Sequence, residues 1–146
     1  MFRRKLTITR PDRDRLIEVT RAKANTLRWA MFIDDLQREL DRARIVKPSR
    51  ISRDVITMGS TVRFLDLQND RDEVYTLVYP EEADLSTGKL SVLSPLGTAL
   101  LGTREGNAVN VVGVAGPRTL KIESILYQPE AQQRRQRCSS ISEDLS

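Results

Sequence analysis

The sequence predicts an α+β protein: an N-terminal antiparallel helical hairpin followed by a small, mostly antiparallel sheet domain with one short helix. Three observations carry the prediction. Apolar residues recur at helical spacing from Ile17 to Ala43, and β-rich segments bounded by turn residues follow one another from Thr61 to Ile125. Between them the stretch SVLSPLGTALLG, Ser91 to Gly102, is an apolar run too short for a full helix and punctuated at both ends.

Thr9-Arg10-Pro11-Asp12 reads as a helix start, with threonine at or near the N-cap, proline early and acid in the first turn. Ile17, Thr20, Ala24 and Leu27 follow three or four residues apart, and Trp29, Ile33, Leu36, Leu40 and Ala43 repeat in a 4-3-4-3 pattern. That stripe is narrow enough for a two-helix seam. A break around Asn25-Thr26 makes it a hairpin, in form a short coiled coil whose arms of about 15 residues would reach about 22 Å. Met31 and Phe32 widen the apolar face, which leaves open a pair folded onto the sheet domain as ordinary core. Asp34/Arg38 and Asp41/Arg44 stand at helical pairing distances. Lys47-Pro48-Ser49 ends the second helix and opens a linker to about Asp54, so residues 1–53 form the arm.

Thr61–Leu65 and Glu73–Tyr79 are the first two strands, joined by the turn Gln68–Asp72. Gly88–Leu93 is the third, Ala108–Val112 the fourth and Thr119–Ile125 the fifth, the last two joined across Gly116-Pro117. In the opening stretch Ser94 is an N-cap and Pro95 fits the first helical position. Leu96, Ala99 and Leu100 bury one face on the sheet, and Gly102 supplies the left-handed residue that stops the helix. A β-branched side chain at Gly102 is therefore expected to cost more than alanine at Gly97. Residues 54–130 form the sheet domain and residues 131–146 a disordered tail.

Composition narrows the chemistry. The 146 residues include no histidine and one cysteine, Cys138, which excludes Ser-His-Asp and Cys-His catalysis, His-bearing metal centres and internal disulfides. The basic Phe2–Lys5 is followed by no apolar signal region and no segment is long enough to span a membrane, so a soluble cytoplasmic protein is expected, and separately a monomer. Charge is uneven: residues 1–54 hold 15 Lys/Arg against 8 Asp/Glu, residues 55–128 hold 6 against 9. A basic front half suits an anionic partner.

Three segments, Val55–Val62, Tyr75–Pro80 and Leu90–Gly102, taken with Glu39–Ala43 and the exit Tyr127–Glu130, resemble the Gre transcript-cleavage factor family, the GreA/GreB-like C-terminal domain above all. The similarity runs in order over about residues 5–131 and is strongest to the branch named for regulation of nucleoside diphosphate kinase. It implies an FKBP-like sheet domain, a coiled-coil arm, and a regulator docked on RNA polymerase near its secondary channel, in competition with Gre factors. DNA binding follows only at the level of the family, as indirect nucleic-acid contact. Gre factors help hold a catalytic Mg²⁺ with carboxylates at the arm tip. Here no acid occurs between Glu18 and Asp34, and Arg21, Lys23 and Arg28 make the tip positive. The chain is therefore expected to be non-catalytic and to need no cofactor or metal.

Two other classes have weaker support in the residues. A prolyl isomerase pocket needs clustered aromatics, and the sheet domain offers Phe64, Tyr75, Tyr79 and Tyr127 spread along the chain. Direct phosphate binding has candidate cations in Arg13, Arg21, Lys23, Arg28, Arg38, Arg42 and Arg44, but no interleaved aromatics. The candidate polymerase-binding residues are Ser94, Pro95, Leu96 and Gly97, with Asp84 of the neighbouring turn and Arg21, Lys23 and Arg28 at the arm tip.

Overall fold

The computed structural model describes residues 7–23, 30–113 and 116–144. The chain runs β1 (Thr7–Thr9), α1 (Arg10–Lys23), α2 (Ala30–Arg42), β2 (Arg44–Val46), β3 (Thr61–Asp66), β4 (Arg71–Val78), β5 (Lys89–Ser91), α3 (Pro95–Leu100), β6 (Ala108–Gly113), β7 (Gly116–Tyr127) and α4 (Pro129–Asp144). The expected break at Asn25-Thr26, together with Ala24, Leu27, Arg28 and Trp29, lies outside the described residues.

A five-stranded sheet in the order β5-β4-β3-β7-β6 forms the body of the molecule. Its pairings are antiparallel except the short β4–β5 pair, which is parallel. Along β3, Val62, Phe64 and Asp66 point inward and are almost wholly buried, while Arg63 is exposed, the period-two pattern of a strand with one covered face. Asp66 is a carboxylate in that buried row. It accepts the Gln68 N–H at 3.0 Å, closing the β3–β4 turn, and two N–H groups of Arg118 at 2.9 and 2.7 Å. The Arg118 guanidinium holds the carboxyl below the usual range.

Both helices contribute to the same core. Leu16 of α1 and Leu36 and Leu40 of α2 join Ile8, Phe64, Leu93, Leu100, Leu120 and Ile122 in one continuous cluster. The α2 stripe is as the spacing predicts: Ile33, Leu36 and Leu40 are each no more than 4% exposed. At α1 the Thr9 hydroxyl accepts the Asp12 N–H at 3.4 Å, the expected cap. Arg38 pairs with Asp34 at 3.0 Å on the solvent side.

Four expectations are corrected. The second helix ends at Arg42, not at Lys47-Pro48, because Arg44–Val46 pairs in parallel with Thr7–Thr9 as a separate two-stranded sheet. Arg44 therefore lies beyond the helix, and its helical spacing from Asp41 does not apply. The segment 47–54 is not a free linker: Ile51 is 2% exposed, and the Pro48 and Ser52 carbonyls accept from Arg134 and Gln128. Residues 131–144 are helical rather than disordered, since α4 starts on Pro129, carries Glu130 in its first turn and consists largely of good helix formers.

Candidate partner-binding surface

The site is built around the edge strand β5, whose two flanks are the turn Asp84–Gly88 and the helix α3. Asp84 holds the first flank in shape. Its carboxylate accepts the Ser86 N–H at 3.1 Å and the Ser86 hydroxyl at 2.5 Å, and the hydroxyl keeps the carboxyl below its ordinary range. The Asp84 and Lys89 main chains exchange two hydrogen bonds across the turn. At the apex this leaves Leu85, 66% exposed, with nowhere to pack.

On the second flank the hydroxyl of Ser94 accepts the Gly97 N–H at 3.0 Å and donates to the Ser91 carbonyl at 2.6 Å. Thr98 donates to the Val92 carbonyl at 2.8 Å. These bonds press the first turn of α3 against β5. A Cβ on Gly97 would collide with the Ser91 carbonyl oxygen and stand 2.9 Å from Val92 Cα, so only glycine fits. The expected mildness of alanine at this position is thereby overturned. Gly102 has φ 75°, as predicted, and its N–H donates to the Ile56 carbonyl at 2.9 Å, so the helix end is tied to a different segment.

Of the predicted surface residues, the structure brings Asp84 and Ser94–Gly97 to the same edge strand. Ser94 and Gly97 are consumed in holding α3 down, and Leu96 packs against the core, which leaves Pro95 as the exposed one of the four. Arg21 is exposed near the end of α1, and Lys23 closes that helix. Arg28 lies outside the described residues. Arg21 stands six residues, about 9 Å of helix rise, beyond Arg15, whose guanidinium reaches Glu81 at 3.0 Å. The aromatics do not converge on a pocket: Phe64 and Tyr75 stack with centroids 5.7 Å apart, Tyr79 is buried under Arg15, and Tyr127 is half exposed.

One polar cluster escaped the sequence reading. Asp12, read there only as a first-turn acid, accepts from the Met58 N–H and from the Tyr79 hydroxyl, both at 3.3 Å. Arg15 lies 3.7 Å over the Tyr79 ring, and Glu130 at the start of α4 accepts the Thr57 hydroxyl at 2.6 Å. Burial, then the Glu130 charge, pushes the Asp12 carboxyl up to about 6. The cluster clasps α1 to the sheet and to α4. No motif could have announced it, because its members are up to 118 residues apart in the chain. Among the described residues no group of three or more Asp, Glu or Cys side chains is placed to hold a metal.

Residues 51–127 match the family described as transcription elongation factor, GreA/GreB, C-term. The chain is 42% identical over 99 residues to the regulator of nucleoside diphosphate kinase of Escherichia coli (strain K12), covering 67% of this chain and 73% of that protein. It is 36% identical over 95 residues to the transcription elongation factor GreA of Bartonella henselae, of whose length it spans 60%. Among solved structures it is similar to the prokaryotic transcription elongation factor GreA/GreB from Nitrosomonas europaea. That similarity has TM-score 0.71 and 36% identity, over 86% of this chain and all of the other.

Proposed function

Since the chain belongs to the GreA/GreB C-terminal domain family, we propose that it is a non-catalytic transcription regulator that binds RNA polymerase near the secondary channel and competes there with Gre factors. In this reading the sheet unit is an FKBP-like platform that makes the main contact, and α1–α2 is a short coiled-coil arm directed toward the channel. The observation that carries it is the match of residues 51–127, a stretch that contains the whole edge bearing Leu85 and Pro95. The absence of acids between Glu18 and Asp34 supports the non-catalytic part, because Mg²⁺ requires oxygen ligands and Arg21, Lys23 and Arg28 would repel it. The name of the Escherichia coli relative supports a link to regulation of nucleoside diphosphate kinase.

The test is co-elution of the full chain with core RNA polymerase, alone and with a GreA competitor, beside a transcript-cleavage assay on backtracked complexes. The expected result is a complex that GreA displaces and no cleavage above the intrinsic rate. No complex at micromolar concentrations, or cleavage that rises with added protein, would overturn the reading.

A further inference from the structure

Strand β7 outruns its neighbour. β6 pairs with it up to Lys121, and the Gly106–Asn107 turn bonds Ile122, but β7 continues to Tyr127. Beyond Ile122 that side of the strand has no strand partner among the described residues. The Ile125 N–H is met by a side chain, Glu105 Oε2 at 3.0 Å. An open edge of this kind is a template for another extended chain.

A cleft of about 420 Å³ is lined by this edge, by Arg53 and Asp54, and by the first turns of α4. Gln128, 4% exposed, stands in its wall. The amide NH₂ donates to the Ser52 and Val55 carbonyls at 2.9 and 2.7 Å, while Oε1 is buried with no hydrogen-bond partner. Leu126 and Tyr127 are 49% and 46% exposed beside it. Arg53 and Arg135 are exposed and carry no ion pair among the described residues, whereas Asp54 is engaged by Arg104 at 3.1 Å.

We propose that this cleft binds an extended, carboxylate-bearing segment of a partner polypeptide, which adds as a strand to the free edge Ser124–Tyr127 and sets its acidic side chains on Arg53 and Arg135. In the unbound protein Glu105 occupies the main-chain position of that segment. A phosphodiester backbone would meet the two arginines but offers no N–H and C=O groups at strand spacing. The surface shares no residue with the edge around Asp84 and Pro95, and the proposal stands whether or not the polymerase is the partner.

The probe is the peptide acetyl-Glu-Val-Glu-Val-Glu-Val-amide, with its Lys-for-Glu counterpart as control, titrated into the isotope-labelled full chain. Saturable amide shifts at Ile125–Gln128 and at the Gln128 side chain are expected. Binding should weaken by about tenfold or more in Arg53→Glu/Arg135→Glu and tighten several-fold in Glu105→Ala, which vacates the Ile125 N–H. Both changes are at exposed positions, so the fold persists and the readout is interpretable. Equal binding of the Lys peptide, or shifts spread over the arginines of α1 and α2, would overturn the proposal. So would concentration-dependent dimerisation abolished by Leu126→Asp, which would assign the edge to a second copy of the chain.

Discussion

Between residues 51 and 128 the chain supplies most of the core and ties itself together with its own main chain: five hydrogen-bonded strands, and turn, cap and helix-end bonds that link Gly102 to Ile56 and Gly59 to Leu77. Between residues 10 and 42 it is held by side chains. α1 and α2 reach the common core through Leu16, Leu36 and Leu40, and they reach the sheet's polar surface through Asp12 and Arg15. The difference teaches where substitutions hurt. In the sheet unit damage comes from changing what the backbone can do as well as what the core holds; in the helical pair it comes from changing what a side chain touches.

The largest expected effect tests the backbone side of that contrast. Gly97→Ala should destabilise by about 3 kcal/mol or more, because the added methyl meets the Ser91 carbonyl and the rigid turn cannot retreat without breaking the Ser94 cap. Gly102→Val should cost about 2 kcal/mol through strain at φ 75°. Denaturant midpoints at unchanged m-value decide the order. If Gly102→Val proves the worse of the two, α3 is not pressed on β5 as described.

Leu36→Ala probes the other side. Leu36 is fully buried between the helical pair and the sheet, so its truncation should cost about 3 kcal/mol in the single unfolding transition of the whole chain. A loss below about 1 kcal/mol would mean that the pair is an appendage whose packing the sheet does not feel. An early, separate melting of the helices would break the comparison altogether.

The smallest effect is a pH dependence at the clasp. The Asp12 carboxyl titrates near 6 when folded against an ordinary value of 3.8, so the native state holds its proton more tightly than the unfolded chain. Its contribution is therefore most favourable below about pH 4 and is lost as pH rises through 6, by about 2–3 kcal/mol. Asp12→Asn cannot ionise, so its midpoint should match the wild type at pH 4 and exceed it by about 2 kcal/mol at pH 8. A constant difference between the two proteins across that range would show that folding does not hold the Asp12 carboxyl above its ordinary value.

Most of the sheet unit was legible because its signals are local. Alternation along Thr61–Leu65, the Ser94-Pro95 start and the Gly102 stop each act within a few residues, and each stands where the sequence predicts. The elements that were missed depend on distant partners. Thr7–Thr9 and Arg44–Val46 are strands only because they find each other, 37 residues apart, and three-residue runs carry no period of their own. The polar character of residues 131–144 concealed a helix whose propensity is sound but whose apolar face is slight. The candidate surface was half legible for a related reason. Ser94 and Gly97 stand out in the sequence as caps and turn residues stand out, and that is the work they do, while Leu85 is conspicuous only once the turn leaves it uncovered.

The parallel pair β1–β2 has a consequence for how this architecture can vary. Thr7 to Thr9 lie beside Arg44 to Val46, so the chain leaves and re-enters the body at one seam, and the helices between are a closed excursion with a fixed root. Equal insertions in both helices, seven residues in each for example, would lengthen each helix by about 10 Å without altering any contact at the seam. Helix length is thereby uncoupled from the seam, so a lineage or a designer can lengthen or shorten the two helices as one would change the rod on a fixed handle.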